Sequence, residues 1–215
     1  ARLRQSGKSG WTERCEEGLV IENIFPTTVG IEWFKDHSEY EEYLSTKCFE
    51  IEKTLARGEP WLQNNTYNTM GSYDIGKDWD FDPITDFVKE SVKDYWEYLG
   101  LSPKVLSLEP RKPWFNIYRK GDFQDYHYHA NTLVSCVYFL KANATIGAKL
   151  FLKSPITDFL APTIQEPKLE NHDRVFYNPD PGKLVMMRGY VQHAVERHGD
   201  DEPRISLIYN FIRKD

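Results

Sequence analysis

Three of the six histidines in this 215-residue chain are placed where they could share a metal ion. His127 and His129 stand two apart in Tyr126-His127-Tyr128-His129. On an extended strand, residues i and i+2 project to the same side, so both imidazoles can face one point. His193 lies in Gly189-Tyr190-Val191-Gln192-His193, just after the strand-like run Lys183 to Arg188. Two neighbouring ligands and one distant ligand are how a β-barrel closes a three-point face around a metal. An H-x-H pair taken alone fits a surface or structural role equally well.

A second signal follows in Arg204-Ile205-Ser206-Leu207-Ile208-Tyr209-Asn210-Phe211. Alternation puts Arg204, Ser206, Ile208 and Asn210 on one face, and Ile205, Leu207, Tyr209 and Phe211 on the other. An inward-facing Arg is unfavourable unless it meets an anion. Its guanidinium can grip a carboxylate with two parallel hydrogen bonds, and Ser206 could add a third. The competing reading is an Arg at a strand start, paired at the surface with Glu202 or Asp201. The other histidines have simpler explanations. His37 sits near a helix start, His172 in a charged loop, and His198 in a Gly/Asp-rich turn facing solvent. Met186 and Met187 read as core.

The elements that must position these residues change character along the chain. Residues 38–55 carry Tyr40, Leu44, Ile51 and Leu55 at helical spacing, with Gly58 as a stop. Residues 83–99 form a second helix, with Asp82 as N-cap, Pro83 at the first position and Gly100 at the end. Its stripe is Ile84, Phe87, Val88, Tyr95 and Leu99. Residues 60–80 read as loop or irregular strand. After Gly100 the period becomes two, giving strands over Val105–Leu108, Trp114–Arg119, Leu133–Lys141, Ala148–Leu152, Lys183–Arg188 and Arg204–Ile212. Helices followed by a run of strands predict an α+β, mainly β chain, or a barrel braced by helices. Residues 154–180 are too long for a hairpin turn and suit a lid or substrate wall.

Composition limits the function classes. Hydrophobic residues make up 40%, which suits a globular fold. A net charge of −6 argues against broad nucleic-acid or anionic-membrane binding. No apolar run approaches a membrane span, and residues 1–18 hold no signal-peptide core and suit a disordered arm. Cys15, Cys48 and Cys136, odd in number and widely spaced, argue against a disulfide framework and for a reduced, cytosolic compartment.

The ordered set of motifs from Trp114 to Phe211 resembles the 2-oxoglutarate/Fe(II)-dependent oxygenases. Tyr118-Arg119-Lys120-Gly121, with His127 nine residues after the Tyr, looks like the Y-x-x-G…H segment of prolyl 4-hydroxylase-like members. Ser135 to Leu140 is similar to their core strand, Gly147 to Leu150 to the turn that follows, and Pro181 to Val185 to the strand before the distal His. Trp114-Phe115-Asn116 before His127-Tyr128-His129 matches most closely a bacterial and phage group that writes Trp-x-Asn before H-x-H.

The resemblance implies one oxygenase domain over 1–215. Residues 19–100 would give helical support and 101–215 a double-stranded β-helix, a jelly-roll or cupin-like barrel. It implies that His127 and His193 ligate Fe(II), and that Arg204, Ser206, Tyr118 and Tyr138 bind the distal carboxylate of 2-oxoglutarate. At His129 the common pattern has Asp or Glu. A three-His face would still bind Fe(II), but Zn(II) or Cu(II) equally well. Asp125 and Glu196 are alternative carboxylate ligands. The expected reaction uses O2 and 2-oxoglutarate to hydroxylate a C–H bond of a peptide, protein (a prolyl residue among the options) or small molecule. Succinate and CO2 are released. The protein would work in the cytoplasm, or the host cytoplasm if phage-encoded. Two rivals stand beside this: a cupin-like three-His dioxygenase without 2-oxoglutarate, and a non-catalytic β-helix binding domain.

Overall fold

The computed structural model describes residues 4–5, 11–14, 20–58, 66–156 and 163–214. Three short strands, β1 (Arg4–Gln5), β2 (Trp11–Arg14) and β3 (Val20–Glu22), form a small antiparallel sheet. Two of them fall in the stretch expected as a disordered arm. Cys15 lies outside the described residues.

The remaining elements are β4 (Val29–Trp33), α1 (His37–Thr54), β5 (Tyr67–Asn68), α2 (Asp82–Tyr98), β6 (Trp114–Tyr118) and β7 (Gln124–His127). Then follow β8 (Val134–Lys141), β9 (Leu150–Lys153), β10 (Arg174–Tyr177), β11 (Lys183–Arg188), β12 (His193–Val195) and β13 (Arg204–Phe211). A six-stranded sheet runs β4-β11-β8-β13-β6-β5, and a four-stranded sheet runs β10-β9-β12-β7. Every pair among these strands is antiparallel.

Alternation builds three layers. On the six-stranded sheet, Phe115, Ile117, Cys136, Tyr138, Leu184, Met186, Ile205, Leu207, Tyr209 and Phe211 face α1 and α2. The helices answer with Leu44, Cys48, Ile84, Val88, Val92, Tyr95 and Trp96. The other face of the same strands carries Trp114, Tyr118, Val137, Phe139, Val185, Met187 and Ile208. These pack on Leu150, Leu152 and Val195 of the four-stranded sheet. Truncating Leu207, fully buried in the helix-facing layer, to Ala would destabilise the fold by about 2–5 kcal/mol.

The helices fall within a residue of their expected bounds. Asp82 is the first helical residue of α2 rather than its cap, so Pro83 sits at the second position, where its missing N–H is still harmless. The expected strand Val105–Leu108 is a correction: it contributes only a single bridge, Leu106 to Arg213. The long loop 154–180 also needs correcting, because β10 pairs antiparallel with β9 inside it. Its residues 157–162 lie outside the described residues. Among the described residues no ladder joins the two large sheets. They face one another as two antiparallel sheets, without the closure of the expected barrel.

Candidate active site

The histidines are brought together by backbone register. His193 pairs directly with His127 across β12 and β7, and their rings are 4.2 Å apart. His129 lies two residues beyond the end of β7, on the same side, 5.2 Å from His127 and 5.0 Å from His193 between ring centroids. Its backbone N–H donates to Gly189 O at 3.2 Å. Gly189 is required there: a Cβ would come within 2.0 Å of Thr132 O. The ring of His129 also stacks on Trp114, 5.9 Å away at 24°. One nitrogen from each of the three histidines lies within 4.8 Å of the other two.

Their hydrogen bonds select a tautomer. Nδ1 of His127 meets Asp125 O at 2.8 Å, and Nδ1 of His193 meets Val191 O at 3.1 Å. A carbonyl oxygen can only accept, so both Nδ1 atoms carry the proton and both Nε2 atoms carry a lone pair. Nδ1 of His129 meets Asn210 Oδ1 at 2.7 Å, with Ser135 Oγ at 3.3 Å, which assigns the same tautomer. Burial holds the pKa of all three below the ordinary value. That of His129 is lowered to about 4, chiefly by burial and further by His127. The result is three neutral imidazoles with unprotonated Nε2 atoms, the form that binds metal.

Beside them, Arg204 and Ser206 point into the same cavity from β13. Arg204 is 0% exposed, and its guanidinium lies 4.7 Å from the Tyr118 ring and 5.0 Å from the Phe139 ring. Its three side-chain nitrogens and Ser206 Oγ have no hydrogen-bond partner among the described residues. The surface pairing with Glu202 or Asp201 is therefore not formed. Burial lowers the pKa of Arg204, with Tyr118 beside it opposing.

Along β6, the inward residues form a chain of donors. Trp114 Nε1 donates to Asn116 Oδ1 (3.1 Å), Asn116 Nδ2 to Tyr118 Oη (3.5 Å), and Tyr118 Oη to Gln124 Oε1 (3.0 Å). No Asp or Glu side chain lines the cavity among the described residues.

Of the sequence-predicted residues, the cavity collects His127, His129, His193, Arg204, Ser206 and Tyr118. Tyr138 is a correction. The period of two on β8 turns it to the helix-facing side, where its hydroxyl bonds His37 Nδ1 at 2.7 Å. Asp125 and Glu196 are exposed and outside the histidine cluster, and Glu196 Oε2 accepts the Lys149 N–H at 3.2 Å. His198 also departs from expectation. It is 1% exposed, bonded to Ala148 N and Glu202 O. The sequence reading did not assign roles to Asn116, Gln124, Ser135 or Asn210. For Asn210 the signal was present, since alternation had already put it on the face of Arg204 and Ser206.

Residues 112–210 match the family described as "Putative 2OG-Fe(II) oxygenase". No curated protein matches the chain. Among solved structures, a Pseudomonas putida prolyl-4-hydroxylase is similar at a TM-score of 0.61 and 17% identity, over 88% of this chain and 94% of that one. A Trichoplax adhaerens prolyl hydroxylase, in complex with a hypoxia inducible factor peptide fragment, gives 0.56 and 11%, over 85% and 83%. HygX from Streptomyces hygroscopicus, with nickel, 2-oxoglutarate and hygromycin B bound, gives 0.55 and 11%, over 86% and 82%. At these identities the structural likenesses establish the fold alone. The family match covers the segment that carries all three histidines and Arg204, and it supports an oxygenase of the 2-oxoglutarate/Fe(II)-dependent class.

Proposed function

We propose that the chain hydroxylates a C–H bond, with His127, His129 and His193 holding Fe(II), and Arg204 with Ser206 holding the distal carboxylate of 2-oxoglutarate. One juxtaposition carries the reading: a fully buried guanidinium with no acceptor among the described residues shares a cavity with three histidines tied at Nδ1. The donor set suits Fe(II), because neutral imidazole is a good ligand for it. The orphaned guanidinium suits a carboxylate, which accepts its parallel N–H bonds.

When bound, Fe(II) with 2-oxoglutarate and O2 supplies the oxidation that yields succinate and CO2 and places one oxygen atom in a C–H bond. The chain's own residues bind, orient and shield. The acceptors Asp125 O, Val191 O and Asn210 Oδ1 keep each Nδ1 protonated, so each histidine presents Nε2. The ring faces of Tyr118 and Phe139 seat Arg204, which offers its nitrogens at a fixed point. Tyr118 gives its proton to Gln124, so its hydroxyl offers an oxygen lone pair rather than competing as a donor. Leu150, Val137 and Ile208 complete an apolar wall that excludes water. The two facing sheets support a double-stranded β-helix, with 19–100 as its helical brace and 101–215 as its core within one domain.

The prolyl hydroxylases among the neighbours favour a peptide or protein substrate, a prolyl residue among the options, and HygX favours a small molecule. The three-His dioxygenase without 2-oxoglutarate has no use for Arg204 and Ser206. A purely binding domain has no use for three histidines held in the metal-binding tautomer.

The test is metal analysis and succinate release on anaerobically Fe(II)-loaded protein. One metal per chain and 2-oxoglutarate-dependent succinate, lost in His127→Ala, are expected. Metal binding without any 2-oxoglutarate turnover would favour the cupin-like dioxygenase instead. Peptide and metabolite panels then rank substrates by stimulation of succinate release.

A further inference from the structure

Asn210 stands apart from the other groups that touch the histidines. His127 and His193 each donate Nδ1–H to a backbone carbonyl two residues earlier, Asp125 O and Val191 O. Those acceptors come with the strand and are present whatever side chains surround them. His129 lies past the end of β7, and among the described residues its Nδ1 is met by side chains rather than by a backbone carbonyl. The closer of them belongs to a residue 81 positions away, Asn210 Oδ1 at 2.7 Å.

We infer that Asn210 is a positioning residue for the atypical third ligand: it fixes the tautomer and ring orientation of His129, so that Nε2 faces the other two histidines. The inference rests on the metal-centre reading above. Asn210 reaches His129 from β13, whose inward face also carries Arg204 and Ser206. Its backbone is held independently, because Asn210 O accepts the Arg111 N–H at 2.8 Å and its Cα pairs with Ser135 on β8. The side-chain amide is thus free to serve His129 without being needed for the strand. Trp114 limits the ring to one plane by stacking, but a flip about Cβ–Cγ keeps that plane and leaves two orientations, one with Nδ1 and Nε2 in the places of Cδ2 and Cε1 of the other. The Asn210 bond is what selects between them. Ser135 Oγ, at 3.3 Å, is the weaker second contact.

The carbonyl oxygen is the essential atom, so a residue that keeps an acceptor there should substitute. Asn210→Asp keeps one and adds charge to the hydrogen bond. Outer partners of metal-bound histidines change metal affinity by about 10–100-fold when removed.

The experiment measures Co(II) affinity of the full chain by competition with a chromophoric chelator, and records the visible Co(II) spectrum. The proteins are wild type, Asn210→Ala, Asn210→Asp, His129→Ala and the His129→Ala/Asn210→Ala double variant. Asn210→Ala should bind Co(II) about 10–100-fold more weakly with an altered spectrum, and Asn210→Asp should restore both. In the His129→Ala background, Asn210→Ala should add no further loss, because its effect passes through that ring. A merely structural residue would lower affinity in both backgrounds. Wild-type Co(II) affinity and spectrum in Asn210→Ala would overturn the inference and leave the three-His centre standing. So would an equal loss in the two backgrounds. Absence of Co(II) binding by the wild type would instead overturn the metal centre and this inference with it. If Asn210→Ala does not fold, the Asp variant and Ser135→Ala give the same comparison. Asp at wild-type affinity or above, with a smaller loss for Ser135→Ala, supports the inference, and a loss in Asp as large as in His129→Ala overturns it.

Discussion

Replacing Arg204 with Met should make the ligand-free protein more stable while abolishing its response to 2-oxoglutarate. The guanidinium is 0% exposed and its three nitrogens lack partners among the described residues. Leaving a buried donor unsatisfied costs about 1–3 kcal/mol each, so three approach roughly 3–9 kcal/mol as an upper bound. The two ring faces at 4.7 and 5.0 Å offset part of this, at about 2 kcal/mol each when desolvated. A deficit of up to about 5 kcal/mol remains. Met is unbranched, apolar and adaptable, and would keep contact with Tyr118 and Phe139. Replacing buried charge with fitted apolar groups stabilises by about 1–4 kcal/mol in other proteins, which sets the expected gain. At this chain length, each kcal/mol moves the melting temperature by about 2–4 °C. In wild type, 2-oxoglutarate at a hundredfold its Kd should add about 2.7 kcal/mol, and in Arg204→Met nothing. Chemical and thermal denaturation with Zn(II), with and without 2-oxoglutarate, measures both effects. A ligand-free Arg204→Met protein less stable than wild type, and still stabilised by 2-oxoglutarate, would refute the assignment of Arg204 as the carboxylate anchor.

With no carboxylate lining the cavity among the described residues, a bound metal ion and Arg204 repel each other until a dicarboxylate neutralises both. Metal affinity should therefore rise about 5–150-fold with saturating 2-oxoglutarate, and titration calorimetry with and without it would show this. His129→Asp should reduce that coupling, and unchanged coupling would contradict the charge argument. Because burial lowers the pKa of all three histidines, metal binding at pH 6.5 should release fewer protons than the about 1.5 that three ordinary imidazoles would release. Calorimetry in buffers of different ionisation enthalpy counts them. The lowered value of His129 means that this group binds more protons in the unfolded chain than in the metal-free folded one between pH 6.5 and about 4. Stability is then full above 6.5 and falls as pH drops through that window. Tyr138→Phe should leave 2-oxoglutarate affinity unchanged, since that hydroxyl bonds His37 on the far face of the sheet, and a tenfold loss would restore Tyr138 to the site.

The parts of the site legible in the sequence are those fixed by the period of two. Arg204 and Ser206 alternate with Ile205 and Leu207, and the cavity and the helix-facing layer divide them accordingly. On β8 the same rule puts Tyr138 with Cys136 on the helix-facing side, against the motif likeness that places it at the carboxylate. His129 faces the cluster although it lies beyond the strand, because Gly189 lets two backbones approach closely enough to hold it. That closeness has no local signature. Alternation puts Asn210 on the face of Arg204 and Ser206, but its bond to His129, like that of Gln124 to Tyr118, joins residues from different elements and has no local signature. The layering of helices on one face of the larger sheet followed from helical and alternating periods. The edge strands β4 and β10 did not, since β10 is short and mostly exposed and has no apolar core face to announce it.

The account stands most directly on whether three histidines and one buried arginine bind Fe(II) and 2-oxoglutarate together. An anaerobic Fe(II) titration followed by visible absorption tests this, because a 2-oxo acid chelating Fe(II) produces a charge-transfer band that neither component shows alone. One band, saturating at one Fe(II) and one 2-oxoglutarate per chain, is expected. It should be absent in His127→Ala, and in Arg204→Met it should need far more 2-oxoglutarate. Tight Fe(II) binding with no such band at any 2-oxoglutarate concentration would contradict the account.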